Sequence, residues 1–107
     1  MVEGLWTVVF RAGQISAGGV VVLQSGKIIG GDSQYYYIGT YSESGGRITA
    51  TIRVQAFITN AVSVFGMPVG FFDLNLAGTI NGNQGSASAT TSTFPGLRLD
   101  MNLVRRA

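Results

Sequence analysis

The chain has 107 residues, of which 46% are hydrophobic and 11% are charged, and its formal net charge is +2. A high hydrophobic share with few charges excludes a disordered chain. The length is sufficient for one domain, residues 1–107, built around one core. Cysteine and histidine are both absent, which excludes disulfides, Ser-His-Asp and Cys-His catalysis, and metal sites made of thiolates or imidazoles. The five acidic residues are scattered along the chain, so we expect no enzyme, no catalytic residues, no metal and no cofactor.

The first residues of the chain, Met1 to Trp6, contain neither the basic segment nor the apolar run of a signal peptide. No later apolar run approaches the roughly 20 residues of a membrane helix. The basic residues are few, and the tyrosine-rich segment contains none, although base stacking needs both types on one face. We therefore expect a cytoplasmic protein that contacts neither a membrane nor nucleic acid directly.

Short segments with the features of β-strands follow one another along the whole chain. In several of them apolar and polar residues alternate, which is typical of antiparallel strands with one buried and one exposed face. The clearest case is Arg47–Ile58, and turn-forming residues such as Ser25-Gly26 separate the segments. In chain order the predicted strands span residues 3–11, 16–24, 27–29, 34–42, 47–58, 71–80, 85–93 and 97–103.

This number of short strands, joined by tight turns, fits either a sandwich of two sheets or a closed barrel. We predict an all-β fold, an antiparallel up-and-down eight-stranded β-barrel, because the connections are mostly too short for Greek-key crossovers and a closed barrel has no exposed edges. An eight-stranded barrel is filled by its inward side chains or holds one small ligand. The inward residues that could form a ligand cavity are Trp6, Phe10, Tyr37, Ile52, Phe72 and Leu74.

Two apolar stretches do not fit an ordinary strand or loop. Residues 59–70 form the longest connection and are too apolar for a surface loop, so they could plug one barrel mouth, cover a cavity or make a dimer contact. Residues 20–23 are apolar on both faces, which leaves a dimer interface and ordinary exposed aliphatic residues as open alternatives. The candidate dimer or lid surface consists of Val20, Val22, Val64, Phe65 and Met67.

The tyrosine-rich segment carries its side chains on both faces of one predicted strand. Alternation sends Tyr35, Tyr37 and Tyr41 to one face and Tyr36 to the other. Core packing with hydroxyls at a barrel mouth and a ligand or recognition surface both remain open. Just before this strand, Asp32 is expected to accept hydrogen bonds from neighbouring backbone N–H groups in a turn.

Several of these segments together resemble one known family. The run GGDSQYYYIGTYS at residues 30–42, followed by GRITA at 46–50 and SVFG at 63–66, is similar to the GrlR-type negative regulators of type III secretion. The resemblance implies a lipocalin-like barrel that acts as a homodimer and sequesters a transcriptional activator by protein–protein contact. In those repressors an acidic turn engages the activator; the corresponding turn here implies Glu43, Ser44 and Gly45 as partner-binding residues, with one acid among them.

The alternative function follows from the barrel itself and not from the resemblance. A barrel with an apolar inner face could carry a small apolar ligand, such as a fatty acid. Bulky inward aromatic residues could equally leave no cavity at all. The sequence therefore predicts a binding protein and leaves open whether its partner is a protein or a small molecule.

Overall fold

The computed structural model describes residues 2–66 and 69–107, and within them eight antiparallel strands form a single sheet. Each strand pairs with the next, and the last pairs with the first, so the sheet closes into a barrel. The predicted all-β, up-and-down, eight-stranded and lipocalin-like architecture is therefore confirmed. The strands are β1 (Gly4–Ala12), β2 (Ile15–Gln24), β3 (Lys27–Gly31), β4 (Tyr35–Ser44), β5 (Arg47–Ala56), β6 (Phe71–Asn81), β7 (Gln84–Thr90) and β8 (Arg98–Arg105).

The alternation of side chains decides which face of each strand is buried. In β5, Ile48, Ile52 and Val54 are buried while their neighbours Arg47 and Arg53 are exposed. A shift of one residue would turn this whole apolar set towards water, so the apolar pattern fixes the register of the strand.

Most strand ends differ from the prediction by one to three residues, and the largest difference is in β7, which ends at Thr90 and not at residue 93. Two of the differences concern apolar side chains. Ile58 and Leu97 were assigned to inner faces, but β5 ends at Ala56 and β8 begins at Arg98, and both side chains are exposed. Beyond β5 the chain leaves the sheet, because the Phe57 N–H donates to the Gln34 carbonyl, 3.0 Å away, in the β3–β4 connection. The Leu97 N–H likewise donates to the Phe94 carbonyl within a local turn.

Gly39, on the inner face of β4, allows two strands to approach each other closely. A Cβ atom at this position would lie 2.9 Å from the Cα of Ile52 on β5 and closer still to the carbonyl oxygen of Thr51. Real Cβ atoms do not come so near to backbone, so a side chain here would push β4 and β5 apart. The absence of a side chain at Gly39 therefore allows the backbone of β5 to approach β4.

The barrel has two different ends. At the turn end lie the short β2–β3, β4–β5 and β6–β7 turns together with the start of β1 and the end of β8. At the loop end lie the β1–β2, β3–β4, β5–β6 and β7–β8 connections. Trp6 is fully buried near the turn end, where its Nε1–H donates to the Val2 carbonyl at 2.8 Å. Because Val2 is buried as well, the N-terminal residues close this end of the barrel.

No helix of sufficient length and apolarity to span a membrane occurs among the residues that the structure describes.

Candidate functional site: the barrel cavity

The inward side chains do not fill the barrel. They enclose a cavity of about 360 Å³, which lies at the lower end of the range found for small-molecule sites, roughly 300–1,000 Å³. Ser16 and Ser33 belong to its lining and are exposed, so the cavity meets solvent at the loop end. Its walls are apolar and are formed by Val8, Phe10, Val21, Leu23, Ile28, Ile48, Ile52, Val54, Phe72, Leu74, Leu76, Leu99, Met101 and Leu103.

The residues predicted to form a cavity are largely brought together here. The lining includes Phe10, Tyr37, Ile52, Phe72 and Leu74. It does not include Trp6, although that side chain points inward. Trp6 lies instead in the layer that closes the turn end, because the N-terminal segment packs over it. Ligand contact by the lining residues stays a prediction.

The connection between β5 and β6 covers part of the mouth of this cavity. Residues 57–66, called the covering segment below, bring Val62, Ser63, Val64 and Gly66 to the cavity lining. The Val62 N–H donates to Gln34 Oε1 at 2.9 Å, which ties the segment to the β3–β4 connection. The described part of this apolar stretch thus contributes to the cavity lining, and the three roles predicted for it, a plug, a lid or a dimer contact, stay predictions.

Phe65 attaches the covering segment to the barrel through aromatic contacts. Its ring centroid lies 5.8 Å from that of Phe72 on β6 and 4.9 Å from that of Phe94 in the β7–β8 connection. Val64 also packs against the core. These residues are therefore separated from Val20 and Val22, whose side chains are exposed on the outer face of β2. Met67, the fifth residue predicted for a dimer or lid surface, lies outside the described residues.

Asp32 organises the polar side of the cavity mouth. Its Oδ1 accepts backbone hydrogen bonds from Gln34 and Tyr35, both at 2.8 Å, so the predicted turn role of Asp32 is confirmed. The Tyr37 hydroxyl donates to Oδ2. Gly19 makes room for this hydroxyl, because a Cβ atom there would lie only 2.8 Å from it.

Two buried tyrosines at this mouth donate their hydroxyl protons in hydrogen bonds and have raised pKa values. Burial, the neighbouring Asp32 carboxylate as hydrogen-bond acceptor and its negative charge together raise the pKa of Tyr37 well above its ordinary value. Burial and the charge of Asp32 also raise the pKa of Tyr35, whose hydroxyl donates to the Val69 carbonyl at 2.7 Å. Tyr36 faces outward and is exposed, so the predicted division of these tyrosines between two faces is confirmed.

The turn predicted to bind a protein partner lies at the other end of the barrel. Glu43, Ser44 and Gly45 are all exposed in the β4–β5 turn. The Glu43 Oε2 accepts a hydrogen bond from the Gly46 N–H at 3.0 Å, so this carboxylate stabilises its own turn. A partner contact at these residues stays a prediction. Such a contact would lie at the turn end of the barrel, opposite the cavity mouth at the loop end.

The outer wall carries an apolar row on three adjacent strands, of which only the residues on β2 were predicted. Val22 on β2 pairs with Ile29 on β3, which pairs with Ile38 on β4, and all three side chains are exposed. Val20 and Tyr36 flank the row on the same strands. We call these five residues the outer patch. The adjacent apolar residues at 28 and 29 were the signal that the third strand, like the second, has two apolar faces.

Among the described residues, every charged side chain other than that of Asp32 lies outside the cavity lining. The exposed pairs Arg53–Asp73 and Arg98–Asp100 lie on the outer wall. Within the described residues no three acidic side chains come together in a way that could hold a metal ion.

No model of a known protein family matches the chain, and a search of curated proteins finds no significant relative. The resemblance to the GrlR-type regulators thus stays a prediction.

Proposed function

We propose that this protein binds one small apolar molecule inside its barrel. The observation that supports the proposal is the cavity of about 360 Å³, whose walls are apolar and whose mouth is partly covered by an apolar segment. A packed protein interior leaves few voids larger than a water molecule. An apolar cavity of this size has few groups to hold water, so an apolar ligand is the occupant that suits it.

The cavity also limits the size of the ligand. At about 30 Å³ for each water-sized group, a volume of about 360 Å³ has room for roughly a dozen non-hydrogen atoms. Burial of each CH₂ contributes about 0.8 kcal/mol, so a chain of about ten carbons gains up to roughly 8 kcal/mol before the cost of immobilisation. A ten-carbon alcohol is therefore a suitable first ligand.

Isothermal titration with 1-decanol tests this proposal. We expect one decanol per chain, a Kd of about 100 µM or lower, and a negative heat-capacity change from burial of apolar surface. Native mass spectrometry of the protein as purified would add the mass of any ligand retained from the cell. Absence of decanol binding at its solubility limit would remove ligand carriage as the function.

A second candidate function is protein contact through the outer patch. An uncharged row of exposed aliphatic side chains on adjacent strands favours contact with another apolar surface. A second copy of the chain can supply that surface, since the same patch on both copies can meet about a two-fold axis. Such a homodimer accords with the resemblance, which implies a regulator that sequesters a transcriptional activator of type III secretion.

The dimer is tested by substituting the centre of the outer patch. We expect the wild-type chain to sediment as a dimer and Ile29→Lys as a monomer, because the new charge would be buried without a partner. Val9→Lys, on the outer face of β1 and outside the patch, is the matched control and should leave the dimer intact. A monomeric wild-type chain at high concentration would rule out this interface.

A further inference from the structure

The polar groups of the cavity lie together at one end. Asp32, Ser33 and Gln34 come from the β3–β4 connection, and Ser16 comes from the start of β2. Ser63 of the covering segment and two tyrosines also line the cavity, and the other lining residues, down towards the turn end, are apolar. A ligand with one polar group and an apolar tail would therefore place its polar group at the loop end, where these side chains and water can bind it.

Asp32 is the one charged residue among the described residues that line the cavity. All seven Lys and Arg residues lie within the described ranges, and none of them belongs to the lining. Arg105 lies opposite Trp6 in the register of β8 and β1, which places it at the turn end and away from the cavity mouth. A ligand carboxylate at the mouth would thus meet another carboxylate and no cation, which disfavours its charged form.

The hydroxyl groups of Tyr35 and Tyr37 already donate their protons within the protein. The Tyr37 proton is donated to Asp32 and the Tyr35 proton to the Val69 carbonyl. A tyrosine hydroxyl that has donated its proton still accepts hydrogen bonds through its oxygen lone pairs. A carboxylate oxygen that accepts one hydrogen bond has capacity for another, so Asp32 Oδ2 and Tyr37 Oη both suit a ligand that donates.

From this arrangement we infer that the ligand carries a hydrogen-bond-donating head, a hydroxyl or an amine, on an apolar chain of roughly ten carbons, and that carboxylates are selected against. The inference rests on the proposed function and names the chemical class that the cavity takes. It differs from a fatty-acid carrier, for which a basic side chain at the mouth would be expected. A fatty acid would bind less well because its carboxylate would be repelled by Asp32 and no cation in the lining would offset that repulsion. Repulsive contacts of this kind contribute to specificity in other binding sites.

Three ligands with the same ten-carbon chain test the inference: 1-decanol, decylammonium and decanoate, each titrated calorimetrically at pH 7. We expect decanol and decylammonium to bind the wild-type protein at least tenfold more tightly than decanoate. In Asp32→Asn the remaining side-chain oxygen can still accept the Gln34 and Tyr35 N–H groups, but the charge is gone. The preference for decylammonium over decanoate should fall at least tenfold in this variant.

Asp73→Asn is the matched control, since it removes an exposed carboxylate from the outer wall and should leave the preference unchanged. Decanoate binding as tightly as decylammonium in the wild-type protein would overturn the inference while leaving ligand carriage standing. Equal preferences in Asp32→Asn and Asp73→Asn would overturn the role of Asp32. Failure of all three ligands to bind would overturn the proposed function together with the inference. The wild-type comparison decides the question even if Asp32→Asn does not fold.

Discussion

Replacement of Val54 by phenylalanine is expected to weaken decanol binding more than tenfold while the barrel stays folded. Val54 is buried on β5, lines the cavity and lies between Tyr37 on β4 and Phe72 on β6. The larger side chain has empty space in front of it, so it takes volume from the ligand without the strain that overpacking of a filled core produces. The measurement is calorimetric titration with decanol, supported by circular dichroism of the variant.

The control for this experiment is the same substitution on the outer wall. Val9 lies on β1, is 47% exposed and does not line the cavity, so Val9→Phe should bind decanol like the wild-type protein. Undiminished binding by Val54→Phe would mean that decanol binds elsewhere than in the barrel.

Truncation of Trp6 to alanine is expected to lower the free energy of unfolding by about 3–5 kcal/mol. This side chain is fully buried, and its Nε1–H satisfies the Val2 carbonyl at the closed end. Since small domains are stable by only about 5–15 kcal/mol, the loss is a large part of the total. Urea unfolding followed by circular dichroism measures it, because Trp6 is the single tryptophan and its fluorescence is lost in the variant.

Tyr36→Ala provides the comparison for Trp6→Ala, since it removes an aromatic side chain that is 40% exposed on the outer wall. Its cost should be much the smaller of the two, because little buried volume is lost. Equal losses for the two variants would show that Trp6 does not have the structural role assigned to it.

The two-residue period predicted the strands, and the short connections between them favoured the barrel over a sandwich. Alternation in Arg47–Ala56 and in the other strands shows which side chains face inward, and the short turns leave little choice but to pair consecutive strands. The strand ends were less predictable: Ile58 and Leu97 continue the apolar period, yet neither lies in the sheet. The Phe57 N–H donates to the Gln34 carbonyl of another connection, and the Leu97 N–H donates to the Phe94 carbonyl of a local turn. The alternation of apolar and polar residues gives no information about these hydrogen bonds.

The cavity itself could not be predicted from the same pattern. Alternation gives the face on which a residue lies but not its level along the barrel axis, which is why Trp6 was placed in the cavity and not in the closed end. Whether inward residues fill the barrel depends on its width and on inward glycines such as Gly39, where strands approach closely. The approach of Asp32 to Tyr37 could have been anticipated from the turn, but its position at a cavity mouth could not.

Methyl NMR of isoleucine-labelled protein during titration with 1-decanol tests most directly whether the barrel interior is the binding site. Ile28 and Ile29 are neighbours on β3, but Ile28 is 3% exposed and lines the cavity, while Ile29 is 60% exposed on the outer patch. Inward binding predicts that the methyl signals of Ile28 and Ile52 shift with saturation and that those of Ile29 and Ile38 do not. Shifts confined to the outward isoleucines, or none at all, would contradict it.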